Sequence, residues 1–186
     1  CQMELADFKN MKDTLYSAVI ADILDEMGYR NQAMSHTLHP LQDHDVVVGR
    51  AFTVLAADVY DIPERPYYME FKAVDSLQEG DVLVVSTNGS TCSGFWGELL
   101  TTAAIRHGAV VLVIDGVNRD TNAIRKMDFP LFIRAPNPLA SKRLPSLIPS
   151  QSTNRSGALT CPPAPIGRVY FDRLSASCTP PAHQLS

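Results

Sequence analysis

Apolar residues along this chain change period several times, and each change marks an element. Val46 to Asp58 alternates, with Val46, Val48, Phe52, Val54 and Leu55 around Gly49, which predicts a strand with a bulge or a close backbone approach at the glycine. Asp81–Val85 and Ala109–Ile114 are short, β-branched and almost wholly apolar, the pattern of strands covered on both faces. Phe129 to Ile133 predicts a smaller strand that ends at Arg134. From Gly94 to His107, Leu99, Leu100, Ala103 and Ala104 recur at helical spacing, and Gly108 closes the helix where positive φ is wanted. Tyr67 to Ser76 and Thr121 to Met127 read as further short helices. At the N-terminus, Leu5 to Lys12 is a short mixed helix. After a break, Thr14 to Met27 carries Leu15, Val19, Ile23 and Leu24 on one side and stops at Gly28. Helices alternating with buried strands predict one α/β domain over residues 1–135, its sheet containing Val46–Leu55, Val82–Val85 and Val110–Ile114.

Composition changes sharply after that. Residues 136–186 hold nine of the thirteen prolines, one acidic residue (Asp172) and five basic ones, so this part is formally +4 and the body −8. Such a segment builds little core of its own, and the expectation is an irregular Pro/Ser-rich tail, with only Gly167 to Leu174 asking to be a strand. The net charge of −4 argues against a nucleic-acid partner. Cys1, Cys92, Cys161 and Cys178 fall at no metal-like or disulfide-framework spacing, which points to a reducing compartment. The chain opens on Cys1 rather than methionine, which reads as loss or processing of preceding residues; a lipid-anchored cysteine is the alternative. No apolar run reaches membrane-spanning length and no basic-then-apolar signal is seen, so the expectation is a cytoplasmic protein without a membrane partner.

The candidate chemistry lies at the ends of the two apolar strands. Ser86–Thr91 follows the first, and the polar turn Gly116–Asp120 follows the second, at the carboxyl end of an α/β sheet where ligands bind. Backbone N–H groups near Gly97, Glu98, Leu99 and Leu100 at the helix start form a seat for a carboxylate or phosphate. Arg119 is placed to close on the same anion, and Asp120 is a hard oxygen ligand suited to magnesium or calcium. The same Arg119–Asp120 pair also reads as a surface or interface ion pair. His36, His39 and His44 lack ligand spacing and read as surface residues. Arg50 in an apolar strand needs a carboxylate, Asp81 or Asp58, if buried. Lys72 and Lys126 fall on outer helix faces, which disfavours Schiff-base chemistry.

In order and spacing, Ala21–Leu24, Val48–Ala51, Gly80–Val85, Trp96–Leu100, Val113–Gly116, Arg119–Asp120 and Phe129–Phe132 resemble the RraA-like superfamily over roughly residues 10–138. That group contains class II 4-hydroxy-4-methyl-2-oxoglutarate aldolases with associated oxaloacetate decarboxylase activity, and non-catalytic protein regulators of ribonuclease E. The resemblance implies a compact αββαβ-type α/β core assembled as a homotrimer or hexamer with sites between subunits. It also implies an acidic keto-acid substrate bound by Arg119 and the amides of Gly97, Glu98, Leu99 and Leu100. A divalent metal, Mg2+ or alternatively Mn2+, is implied on Asp120, with Arg119 and Asp120 as the catalytic pair.

Glu98 reads as a capping residue rather than a base, which leaves the proton to metal-bound water or another subunit's group. Two departures support the regulator reading instead. Ser86–Thr91 lacks the acidic residue that relatives often carry there, and Pro136–Ser186 lacks the family's closing strands and C-terminal helix.

Overall fold

A computed structural model describes residues 5–30, 32–43, 46–57, 65, 67–92, 94 and 96–138, together with the backbone of 146–148, 168–171 and 176–179. Its centre is a parallel run of four strands, β2 (Val47–Ala57), β3 (Asp81–Ser86), β4 (Val111–Asn118) and β5 (Leu131–Pro136), adjacent in chain order. The crossovers carry α3 (Tyr68–Asp75), α4 (Glu98–Arg106) and α5 (Thr121–Arg125). Side chains alternate along the strands, so each strand feeds two cores. Leu83, Val85, Leu112, Ile114, Leu131 and Ile133 meet Val74 of α3, Ala104 of α4, Ile124 of α5 and Trp96. Val82, Val84, Val111, Val113 and Phe132 face the other way, with Ala51, against Met34 and Leu38.

Burial on both faces explains why these strands lack polar alternation. The domain is an α/β fold, as expected, and the three strands named from the pattern form its centre. Gly49 owes its place to a close approach: a Cβ there would stand 2.5 Å from the Gly80 carbonyl oxygen. The register of β2 against the strand Arg168–Phe171 is even from Val47 through Gly49 to Arg50, so there is no bulge at the glycine.

Beside the parallel core, β1 (His39–Pro40) pairs antiparallel with β5. On the other side, β6 (Ser146–Ile148) and β7 (Arg168–Phe171) pair with β2, and β8 (Ala176–Thr179) pairs with β7. Regular backbone after residue 135 is thus more extensive than the Gly167–Leu174 run suggested. The free edge of β2 supplies hydrogen-bonding partners for β6 and β7.

The N-terminal break falls at Leu15–Tyr16, between α1 (Leu5–Thr14) and α2 (Ser17–Glu26). The inward face of α2 is Ser17, Ile20 and Leu24, against Val48, whereas Ile23 is exposed. Leu24 is buried as expected and Leu15 packs on the same cluster, while Ile20 takes the inward place expected of Ile23. Arg50 is paired with Asp81, Nε to Oδ1 at 2.7 Å, and also donates to Gln78 Oε1 at 3.1 Å. Cys1, His44, Asp58, Cys161 and Asp172 lie outside the described residues. No described helix is long and apolar enough to cross a membrane.

Candidate active site

The polar turn expected after Ile114 is instead the end of a strand. β4 runs on through Asn118 because both its sides find partners after β3 has ended at Ser86. On one side Val117 and Asn118 pair with Ala135 and Pro136 of β5, and on the other Trp96 forms a parallel bridge with Asn118. Trp96 is therefore used in the sheet. This is why α4 begins at Glu98, with Gly97 as its N-cap, and not at Gly94.

Trp96 couples the two segments of the site. Its carbonyl oxygen accepts from the Arg119 N–H at 2.9 Å and from the Asn118 side-chain amide at 3.0 Å. Its buried indole N–H donates to Thr101 Oγ1 at 2.9 Å, and that hydroxyl donates to the Gly97 carbonyl at 2.9 Å. The start of α4 and the residue before Asp120 are thereby fixed to one side chain.

Asp120 reaches back to α4. Its Oδ2 accepts from the Glu98 N–H at 3.3 Å and from Arg119 Nε at 3.0 Å. Its backbone is left-handed, φ 56° and ψ 27°, a conformation that L residues adopt at a cost and that Asp tolerates better than most. Its carbonyl oxygen accepts the Ala123 and Ile124 N–H groups that open α5. Gly97 makes the approach feasible, since a Cβ there would lie 2.5 Å from Asp120 Oδ2 and 3.0 Å from Arg119 Cγ. The side chains of Arg119 and Asp120 are about a third exposed, at 38% and 34%.

The structure therefore brings together all the residues singled out from the sequence: Gly97, Glu98, Leu99, Leu100, Arg119 and Asp120. It changes the roles of two. The cap on the first turn of α4 comes from Asp120, not from Glu98, whose side chain is exposed. The amides left for an incoming anion are those of Gly97, Leu99 and Leu100, because the Glu98 N–H is already taken. Arg119 offsets the Asp120 charge, so the helix end keeps its partial positive character toward a ligand. Leu99, expected to pack, is 84% exposed, while Leu100, Ala103 and Ala104 pack as expected and Thr101 is buried beside them. Lys72 and Lys126 are exposed, as are His36 and His39.

Among the described residues no three His, Cys, Asp or Glu side chains converge as an ion cage. Asp120 alone fits the looser way in which Mg2+ is held, by one or two carboxylates with substrate oxygens and water completing the shell. Its Oδ1 has no hydrogen-bonding partner among the described residues, which leaves one oxygen for such a contact. Elsewhere, burial of Glu70 on α3 raises its pKa above the ordinary value of 4.5, a backbone hydrogen bond opposing the shift.

Sequence reasoning missed Trp96, Asn118 and Thr101 as the frame of the site. It also missed the ion pair between Asp115 and Arg134, and Thr87, whose hydroxyl donates to the Asp115 carbonyl at 2.7 Å. A signal was there. Asp115 and Asn118 are polar residues in a strand buried at every position, and polar groups placed there have to be hydrogen-bonded.

Comparisons with known proteins bear on the family and the fold. A family profile, RraA-like (Aldolase/RraA), matches residues 17–151. A Halalkalibacterium halodurans protein provisionally named a 4-hydroxy-4-methyl-2-oxoglutarate aldolase is 31% identical over 137 residues, which cover 74% of this chain and 60% of that protein. The chain thus spans less than two thirds of that relative's length. Among solved structures, one described as a cellulase from microbes of the gut ecosystem superposes with a TM-score of 0.87 at 24% identity, covering 100% of this chain and 83% of its own. Streptomyces coelicolor RraAS2, described as an unusual member of the RNase ES inhibitor RraA family, superposes with a TM-score of 0.79 at 23% identity, covering 100% and 89%. At these identities the two structures speak for the fold alone.

Proposed function

The chain belongs to the RraA-like, aldolase/RraA family, and from that premise we propose that it is a divalent-metal-dependent aldolase acting on 4-hydroxy-4-methyl-2-oxoglutarate or a related 4-hydroxy-2-oxo diacid. The observation that carries this reading is the seating of Arg119 and Asp120 against the first turn of α4, with Asp120 accepting the Glu98 N–H. In the proposed reaction the C3–C4 bond breaks and the C4 hydroxyl becomes a keto group as it loses its proton. The electron pair passes to the pyruvyl half as an enolate, which is protonated at C3 to leave as pyruvate.

The residues divide the work by charge and geometry. The Leu99 and Leu100 amides fix the substrate's 1-carboxylate at the positive end of α4. Arg119 binds the substrate from the side and offsets negative charge as the enolate forms. Asp120 would hold Mg2+ or Mn2+, and the chemistry such an ion supplies is polarisation of the 2-keto oxygen. Decarboxylation of oxaloacetate passes through the same enolate and is proposed as a side activity. The acceptor of the hydroxyl proton is proposed to come from a neighbouring subunit of a homotrimer or hexamer.

A second reading is a non-catalytic, protein-binding regulator. It is supported by the acid-free Ser86–Thr91 loop and by the exposed Tyr68, Phe71 and Leu99. Pyruvate release from both candidate substrates, with Mg2+ and with EDTA, separates the two. The enzyme reading expects turnover that EDTA, Asp120→Ala and Arg119→Ala each abolish without loss of fold. No metal-dependent turnover by the unmodified protein favours the regulator.

A further inference from the structure

The register between β4 and β5 is even from Leu112 opposite Leu131 to Ile114 opposite Ile133, and resumes with Val117 opposite Ala135. Asp115 and Gly116 together therefore face the single residue Arg134. Such a bulge transposes every side chain beyond it to the other side of the strand. What lies beyond is Asn118, Arg119 and Asp120.

Three contacts hold the bulge. Arg134 Nε donates to Asp115 Oδ1 from β5. The Thr87 hydroxyl donates to the Asp115 carbonyl at 2.7 Å from the β3 side. Gly116 lies so close to the same threonine that a Cβ would stand 2.5 Å from Thr87 Cγ2.

A second pair of a buried Asp with a part-exposed Arg gives a comparison. Asp81, 2% exposed, uses Oδ1 for Arg50 and accepts the Gln78 N–H on Oδ2 at 2.8 Å, so both its oxygens are satisfied. Asp115, 1% exposed, has Arg134 on Oδ1, while its buried Oδ2 has no partner among the described residues. A pair whose carboxylate is buried with one oxygen unmet adds little net stability over apolar side chains of similar size. Its distinctive consequence is geometric, because it spans the register shift that precedes the site.

We propose that the Asp115–Arg134 ion pair is a positioning device: it sets the β4–β5 bulge and thereby aims Arg119 and Asp120 at the amino end of α4. The inference deepens the proposed function, and its catalytic readout rests on that reading. Its structural readout does not, because the Glu98 N–H is hydrogen-bonded to Asp120 whether or not the protein is an aldolase.

The test uses the full chain with Asp115→Leu combined with Arg134→Met, with Arg134→Lys alone, and with Arg50→Lys as the matched change at the other pair. Amide exchange of Glu98 is followed by NMR, and kcat and KM by pyruvate release. The double variant is expected to fold, with Glu98 exchange at least about tenfold faster and kcat at least about tenfold lower, while KM changes by less than about threefold. Arg134→Lys keeps the charge but not the guanidinium geometry, and is expected to shift both readouts in the same direction by less. Arg50→Lys is expected to move neither.

Unchanged Glu98 exchange in the folded double variant overturns the proposal. So does faster exchange with unchanged kcat in an active enzyme, or an equal effect of Arg50→Lys. If the double variant does not fold, Arg134→Lys decides by the same criteria. If the unmodified protein releases no pyruvate, the aldolase reading fails, and Glu98 exchange still decides whether the pair positions Asp120.

Discussion

The side-chain amide of Asn118 donates to the carbonyl oxygen of Trp96 at 3.0 Å, inside a fully buried strand end and one residue before Arg119. Asn118→Ala removes that bond but leaves the Trp96 carbonyl its second donor, the Arg119 N–H. It also removes a buried Oδ1 that has no partner among the described residues, so the stability loss is expected to be modest, about 1 kcal/mol. Asn118→Asp sets a carboxylate against the carbonyl and is expected to cost more than the alanine change. Chemical denaturation of the two variants checks this order; an aspartate variant as stable as alanine counts against the assigned bond.

Gly97→Ala isolates the contact between α4 and the Arg119–Asp120 pair. The Gly97 backbone is extended, which alanine adopts freely, so the expected effect comes from the Cβ displacing Asp120 Oδ2 and Arg119 Cγ. Thermal stability is expected to change by less than about 1 kcal/mol, while turnover falls on the order of a hundredfold, the scale of an ångström-sized misplacement. Equal activity of the alanine variant contradicts the site geometry.

Asp120 combines a left-handed backbone with the proposed metal contact, which makes it a place where stability and function separate. Asp120→Gly relaxes the backbone, worth about 1 kcal/mol, and loses the hydrogen bond to Glu98, so the melting temperature is expected to stay within about 4 °C. Asp120→Asn keeps an acceptor for Glu98 but removes the charge. Both variants are expected to be inactive yet folded, as calorimetry and pyruvate release together would show.

Glu70 gives the pH dependence a sign. Burial raises its pKa in the folded protein, so the protonated form is favoured there, and its contribution is fully present below about 4.5 and lost as pH rises through the higher folded value. Glu70→Gln is expected to match the unmodified protein at pH values below the unfolded pKa and to exceed it in stability at neutral pH. Melting temperatures of the two across that range measure the difference; a gap that widens toward acid reverses the sign.

Much of the fold is legible from period alone, since Val82–Val85 and Val110–Ile114 have only one way to be buried on both faces. That Arg119–Asp120 and Gly97–Leu100 lie together is legible as well, because both follow buried strands whose order places their carboxyl ends on one edge. The frame between them was not. Trp96 reads as a helix residue until Asn118 is seen to need a neighbour in the sheet, and that need arises only once β3 has ended at Ser86. The bulge at Asp115–Gly116 is equally hidden, since it is a relation between two strands and has no period in either. The inward face of α2 was only partly legible, since Val19, Ile20, Ile23 and Leu24 offer two adjacent apolar stripes and packing on Val48 selects Ile20 and Leu24.

In the proposed function the site stabilises a pyruvyl enolate with a metal held on Asp120. Exchange of the pyruvate methyl protons in D2O, followed by NMR with the full chain and Mg2+, tests that step without needing the natural substrate. The expected result is deuterium incorporation that stops on addition of EDTA and is absent in Asp120→Asn. Exchange no faster than in buffer, or exchange that persists in Asp120→Asn, would contradict it.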